Sequence, residues 1–332
     1  MGSKISNIEY FLPSKVLNNR DLEEKFKTWS PEKIEKKTGV RERHIAEENE
    51  TALDLAYYAS KKLLDNCRSD TIDFILFCTQ SPDYYLPANA CILQDRLGLP
   101  KNIGAMDFNL GCSGFVYGLA VAKGLVASGM ASDILFVTSE TYSKHINEND
   151  KSNLTIFGDA ASAVMVTASD DEKIGEFVLG TDGSGYGNLI VPNGGLRSRF
   201  DPDSPLKIDE SESGRTLNNL YMNGPEIFNF TIKAVPEVVK NVLEKNNTSL
   251  EHIDYVIFHQ ANKYIIEYLR KKLHIPENKF YVNLLNTGNT VSCTIPIALK
   301  NSIEGNTIKK GNRVLLVGFG VGYSWGGTVI TI

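Results

Sequence analysis

Cysteine is scarce in this chain: five in 332 residues, Cys67, Cys78, Cys91, Cys112 and Cys293, with no C-x-x-C pair. That spacing excludes a disulfide framework and favours a reducing, cytoplasmic setting. Histidine is as sparse, five in all, and none falls in an H-E-x-x-H arrangement, so no metal site is expected. No uninterrupted apolar run approaches the ~18–20 residues of a membrane span, and no apolar leader opens the chain. Met1-Gly2-Ser3-Lys4-Ile5-Ser6 fits an acylation pattern, but a simple first strand explains it better. An excess of positive charge is also lacking: the formal net charge is −5, which gives no support for nucleic acid as the main partner, since a phosphate-binding surface needs local positive excess. What remains, 42% hydrophobic and 23% charged residues, is an ordinary globular protein long enough for about two domain-sized units.

Lys4 to Tyr10 reads as a strand. Asn19 to Lys27 has helical spacing, and a second helix starts at Pro31 and stops at Gly39. Thr51 caps an amphipathic helix that runs to Leu64. Ile72 to Cys78, Ile134 to Thr138 and Ala160 to Thr167 are apolar runs of strand length, with a helix from about Ala88 to Leu97 between the first two. Strands alternating with helices predict an α/β protein whose sheets are covered on both faces.

The chain also echoes itself. Thr71-Ile72-Asp73-Phe74-Ile75-Leu76-Phe77 returns as His252-Ile253-Asp254-Tyr255-Val256-Ile257-Phe258. Gly111-Cys112 returns as Gly288-Asn289, and Asp133-Ile134-Leu135-Phe136-Val137 as Arg313-Val314-Leu315-Leu316-Val317. By subtraction of these positions the offsets are 181, 177 and 180. A nearly constant offset in the same order argues for two copies of one α/β unit. The halves are residues 1–170 and 171–332, with a Gly-, Ser-, Asp- and Pro-rich insertion near 182–219 that reads as a surface loop or a flap, Ser211 to Gly214 being its most mobile stretch.

Three residues carry the chemistry. Cys112 lies between glycines just before an apolar helix, where unpaired N–H groups and the macrodipole ease loss of the thiol proton. The bland reading is a small buried hydrophobe. His259 follows a strand's carboxyl end, the side on which ligands bind in open α/β sheets; alone it could be a satisfied core histidine. Asn289 alone could be a capping residue. Symmetry between the halves places Asn289 opposite Cys112, with His259 in the crevice between them. A nucleophile, an imidazole and a carboxamide make a reactive set.

At these positions the sequence resembles the 3-oxoacyl-(acyl-carrier-protein) synthase III branch of the thiolase superfamily, over essentially its whole length. The resemblance rests on Thr38-Gly39-Val40-Arg41-Glu42-Arg43-His44-Ile45, Gly111-Cys112-Ser113-Gly114-Phe115 and Phe157-Gly158-Asp159-Ala160-Ala161. It continues through His259-Gln260-Ala261-Asn262, Gly288-Asn289-Thr290 and the glycine-rich Gly318 to Gly326. It implies a five-layered α-β-α-β-α fold built by internal duplication, and a homodimer. It implies that Cys112 takes an acyl group from a thioester, in a hole made by the Cys112 and Val321 backbone N–H groups. His259 and Asn289 then hold the enolate left when a malonyl-carrier substrate loses CO₂. No cofactor is implied; coenzyme A or phosphopantetheine thioesters and an acyl-carrier protein are the partners, with no nucleic acid and no membrane. Phe157 and Asn262, within two of these motifs, are assigned to substrate binding.

Departures from the family pattern bear on the substrate. Lys33 stands where the family tryptophan stacks on the coenzyme A adenine, and Lys151 where an arginine covers its other face. Lysine lacks a planar surface, so a carrier-bound or unusual starter donor is expected. Leu86 stands where an aromatic shapes the acyl pocket across the dimer, which predicts a pocket roomier than one for acetyl. Val321 replaces a glycine and narrows the oxyanion hole. Tyr264 replaces a carrier-docking arginine, while Arg270, Lys271 and Lys272 keep a basic edge for an acidic carrier, or are simply a solvated helix face.

Two rivals are set aside. A papain-type peptidase shares the order Cys, His, Asn but not the local signature. A dinucleotide site at Gly320-Val321-Gly322 lacks the following helix and the third glycine. The remaining alternative is an acyltransferase on the same fold, passing the acyl group from Cys112 to a hydroxyl or amine with His259 as general base.

Overall fold

A computed structural model describes residues 1–27, 29–65 and 69–332; Cys67 lies outside them. β1 (Gly2–Phe11) is followed by a small antiparallel pair, β2 (Lys15–Asn18) and β3 (Glu42–Ile45), that brackets α1 (Asn19–Phe26) and α2 (Pro31–Thr38). Then come α3 (Ala52–Leu64), β4 (Phe74–Cys78), α4 (Asn89–Arg96), β5 (Gly104–Phe108), α5 (Gly114–Ala127), β6 (Asp133–Glu140), the single turn α6 (Lys151–Leu154) and β7 (Ala160–Ser169). The chain crosses to a second sheet with β8 (Val178–Thr181). The insertion that follows holds four two-residue strands, β9 (Leu189–Ile190), β10 (Lys207–Ile208), β11 (Gly214–Arg215) and β12 (Tyr221–Met222). The second half then runs through α7 (Gly224–Lys245), β13 (Tyr255–Phe258), α8 (Lys263–Lys272), α9 (Thr294–Glu304), β14 (Arg313–Gly320) and β15 (Ser324–Thr331).

Local chemistry sets these boundaries. Ser30 caps α2 ahead of Pro31, and Gly39 ends it at φ +78°, where only glycine sits without strain. Thr51 and Asp54 form a reciprocal capping box on α3, as the sequence predicts. Gly2 opens β1, and a Cβ there would meet the Asp171 backbone at 2.6 Å.

The two sheets repeat one plan. The first has the order β1-β7-β6-β4-β5 and the second β13-β14-β15-β8. In each a parallel pair (β4 with β6, β13 with β14) is followed by two antiparallel steps. Phe74 pairs with Ile134 just as Tyr255 pairs with Val314, the spacing the sequence echo requires. Between the sheets lies a core to which α5 contributes Phe115, Val116 and Leu119, and α9 contributes Ile295, Ala298 and Leu299. α3 and α4 cover the outer face of the first sheet, and α7 and α8 the outer face of the second. The result is five layers, α-β-α-β-α, a thiolase-like fold. Among the described residues every cysteine is free, and no helix is long and apolar enough to cross a membrane.

Ser211 to Gly214, the stretch whose composition suggests mobility, makes several hydrogen bonds and an ion pair. The Ser211 and Ser213 N–H groups donate to Asp209 Oδ1 at 2.9 and 3.1 Å. The Ser152 N–H donates to Ser213 Oγ at 3.1 Å, and Lys151 pairs with Glu212 at 3.1 Å. The tip is thereby tied to α6.

Candidate active site

β13 ends at Phe258, and the next residue, His259, is still held to the sheet by its N–H donating to the Val317 carbonyl at 2.8 Å. Cys112 stands two residues before α5, in a turn closed by the Gly114 N–H donating to the Gly111 carbonyl at 2.7 Å. Asn289 follows Gly288, whose φ of +65° and close approach to the Ile156 carbonyl (a Cβ would lie 2.7 Å away) both demand glycine. The Asn289 N–H donates to the Ile156 carbonyl at 2.9 Å, and its own carbonyl accepts from the Gly158 N–H at 3.0 Å. Backbone thus joins the two halves at the residue that supplies the carboxamide.

Cys112, His259 and Asn289 line one cavity with Ile156, Phe157, Leu189, Met222, Asn262 and Phe319. Its volume is about 40 Å³, room for one or two waters. Asn289 Oδ1 accepts from the Val291 N–H at 2.9 Å, which leaves the NH₂ end of the amide for the cavity. One tight turn, Val291–Cys293, separates Asn289 from α9, which starts at Thr294.

Electrostatics correct one expectation. Burial pushes the Cys112 thiol up to about 12; the Val321 and Cys112 backbone groups pull the other way, and Glu140 adds to the rise. The helix start lowers the thiol's pKa less than desolvation raises it, so Cys112 rests as a neutral thiol. Burial drives the His259 imidazole down to about 3, with the Val291 backbone opposing weakly, so the ring is neutral. Its Nδ1 lies 2.7 Å from Thr294 Oγ1.

Other residues of the site escaped the sequence. Tyr142 packs with Cys112, Phe157 and Leu189, its ring centroid 5.3 Å from that of Phe157, and its hydroxyl donates to Gln80 Oε1 at 2.5 Å. Glu140 is fully buried at the end of β6; its oxygens accept from Ser292 Oγ at 2.9 Å and the Gln80 N–H at 3.0 Å. The signal was a polar Ser139-Glu140 pair closing an apolar strand.

Residues 106–183 match the family profile described as 3-oxoacyl-[acyl-carrier-protein (ACP)] synthase III, and residues 243–332 match the corresponding C-terminal profile. A beta-ketoacyl-[acyl-carrier-protein] synthase III from Caldanaerobacter subterraneus subsp. tengcongensis is 40% identical over 324 residues, covering 96% of this chain and 95% of its own. The chain belongs to the 3-oxoacyl-(acyl-carrier-protein) synthase III family. The synthase III of Clostridium perfringens strain SM101 is 38% identical over 336 residues, 100% of this chain and 99% of its own. A crystal structure of 3-oxoacyl-(acyl-carrier-protein) synthase III matches with a TM-score of 0.98 at 47% identity, covering 100% of both chains.

Trp29 lies among lysines near the site. Lys37, Lys151 and Lys33 hold their ammonium groups 4.2, 5.4 and 5.5 Å from its ring. Trp29 and Lys37 line an outer cavity of about 640 Å³ that shares Ile156 and Met222 with the inner one. Lys33 and Lys151 therefore both hold their ammonium groups near the Trp29 indole. Asn262 and Phe157 line the Cys112 cavity. Val321 lies in the turn between β14 and β15, with its side chain against Gly111. Leu86 is 82% exposed and does not line the cavity. Of the basic edge, Arg270 pairs with Glu267 at 2.9 Å and Lys272 Nζ donates to the Ile232 carbonyl at 2.7 Å; Lys271 is exposed.

Proposed function

We propose that the chain is an acyltransferase of the beta-ketoacyl-acyl-carrier-protein synthase III type (EC 2.3.1), condensing an acyl starter with malonyl-acyl-carrier protein to a 3-oxoacyl-acyl-carrier protein, in fatty-acid initiation or a related specialised pathway. Cys112 Sγ attacks the starter thioester. The tetrahedral oxyanion is met by the backbone N–H groups of Cys112 and Val321, and the departing sulfur takes up the proton that the thiol releases. The malonyl thioester then places its carbonyl oxygen between His259 Nε2 and Asn289 Nδ2. Loss of CO₂ puts negative charge on that oxygen, and two fixed neutral donors in a buried, narrow cavity hold it. The carbanion attacks acyl-Cys112, and the thiolate leaves and is reprotonated. This chemistry needs no metal or redox cofactor.

The observation that carries this reading is the convergence of a sulfur from one half and two neutral hydrogen-bonding groups from the other on one small cavity. Intact-mass measurement of Cys112 acylation from a panel of coenzyme A and carrier thioesters, followed by malonyl-carrier and a count of CO₂ released, tests it. Acyl turnover with no CO₂ would move the assignment to acyl transfer onto a hydroxyl or amine. Trp29, Lys33 and Lys151 receive the anionic head of the thioester arm, and Lys271 with its neighbours Arg270 and Lys272 meets the carrier. The enzyme works as a cytoplasmic homodimer, in which exposed Leu86 completes the acyl pocket of a second copy. Supporting the dimer, β5 is an edge strand, and Tyr84, Tyr85 and Leu86 form an exposed apolar run in the connection between β4 and α4.

A further inference from the structure

A neutral imidazole has one ring hydrogen, so His259 donates from Nε2 only while Nδ1 is bare. The far side of the ring decides this. There Thr294 Oγ1 lies 2.7 Å from Nδ1 and 3.1 Å from the Val291 carbonyl, to which it can donate. The Val291 backbone also hydrogen-bonds the imidazole. A carbonyl can only accept: left alone with the ring, it would draw the proton to Nδ1 and turn a lone pair toward the cavity. A hydroxyl can accept or donate.

We infer that Thr294 is the positioning residue that makes His259 a donor: its hydroxyl turns from the Val291 carbonyl to Nδ1 and so holds the ring proton on Nε2. The change breaks one Nδ1–H bond and makes one Nε2–H bond, by exchange with water while the cavity is open, with no change of net charge. The inference rests on the condensation reading above, because general-base acyl transfer needs the opposite tautomer, with a lone pair on Nε2.

Val291 gives independent geometric support. It is β-branched, wholly buried and held at φ +57°, a conformation such residues avoid. In that conformation its N–H reaches Asn289 Oδ1 at 2.9 Å and its carbonyl reaches the Thr294 hydroxyl. One strained residue orients both enolate donors, and it does so for His259 through Thr294.

Three proteins test this: wild type, Thr294→Val, which keeps the shape and removes the hydroxyl, and Thr294→Ser, which restores it. Wild type that acylates Cys112 but releases no CO₂ from malonyl-carrier ends the condensation reading, whatever the variants do. Where wild type does release CO₂, Thr294→Val acylates within about threefold of wild type but decarboxylates about 10²–10³-fold more slowly, in kcat rather than KM, as when one donor is lost. Thr294→Ser recovers most of that loss. In ¹⁵N-histidine NMR with a non-decarboxylating malonyl thioester analogue bound, wild-type His259 is protonated on Nε2 and the Val variant on Nδ1. Normal decarboxylation by Thr294→Val, equal loss of both half-reactions, no recovery with Ser, or an Nδ1-protonated wild-type complex each overturns the role. The wild-type spectrum decides should the Val variant fail to fold.

Discussion

Gly320 lies against Cys112 so closely that a Cβ on residue 320 would stand 2.7 Å from the cysteine Cβ and 2.8 Å from its sulfur. Both are closer than side chains tolerate, and β14 holds Gly320 in register opposite Ser324. Gly320→Ala must therefore displace the nucleophile. The expected outcome is a fold that survives with about 1–3 kcal/mol lost to overpacking, and acylation of Cys112 slowed at least about 10²-fold. Thermal denaturation and intact-mass kinetics check the two parts. Acylation at the wild-type rate would mean that the sulfur does not use the space above Gly320.

Cys112 and Asn289 separate the half-reactions. Cys112→Ala abolishes acyl capture. Asn289→Ala keeps it, because the acylation hole is built from backbone N–H groups, but loses about 10²–10³ in decarboxylation with one enolate donor gone. Mass spectrometry reads the first step and CO₂ release the second. Equal loss of both in the Asn289 variant would contradict its role.

The sequence displayed what local chemistry and symmetry determine. Thr51 with Asp54, and Pro31 with Gly39, announce helix ends through contacts within a few residues. The echo between the halves was enough to bring Cys112, His259 and Asn289 together. Thr294 reads as an ordinary helix-start threonine until it meets a ring 35 residues away, and Tyr142 as a core aromatic until it meets Gln80 across 62 residues. The left-handed Val291 runs against the propensity of its residue type, so no local rule could signal it. Cys112 shows the same division: its helix start is visible in the sequence, whereas the burial that outweighs it is a property of the packed whole.

Trp29 has three ammonium groups around it, and with one of them, Lys37, it lines the outer cavity, away from the reacting sulfur. Trp29→Ala removes one of the planar groups on that wall, the others among the lining residues including Tyr221 and the Arg215 guanidinium stacked on it at 4.7 Å. It raises KM for a coenzyme A starter roughly three- to tenfold, as loss of one aromatic or cation–π contact does, and leaves kcat nearly unchanged. Steady-state kinetics with coenzyme A and carrier-bound starters compare the arms. A fall in kcat with KM constant would place Trp29 in the chemistry instead.

Glu140 makes stability depend on pH in a direction opposite to the usual carboxylate. Burial raises its carboxyl to about 8 from an ordinary 4.5, although Gln80, Ser292 and Ser81 donate toward it. The folded chain keeps a proton there that the unfolded chain releases. This contribution is complete below about pH 4.5 and is lost as pH climbs to about 8. Asp159, raised to about 6 from 3.8 by burial, acts in the same sense over a lower range. His259, lowered to about 3 from 6.5, acts in the opposite sense and has contributed fully by pH 6.5. Of these three, only Glu140 is still changing between pH 6.5 and 8.5. Wild-type Tm should fall across that interval by an amount equivalent to at most a few kcal/mol, whereas Glu140→Gln, neutral at every pH and still able to accept from Ser292, should show a flatter profile. Parallel profiles for the two proteins would place the proton somewhere other than Glu140.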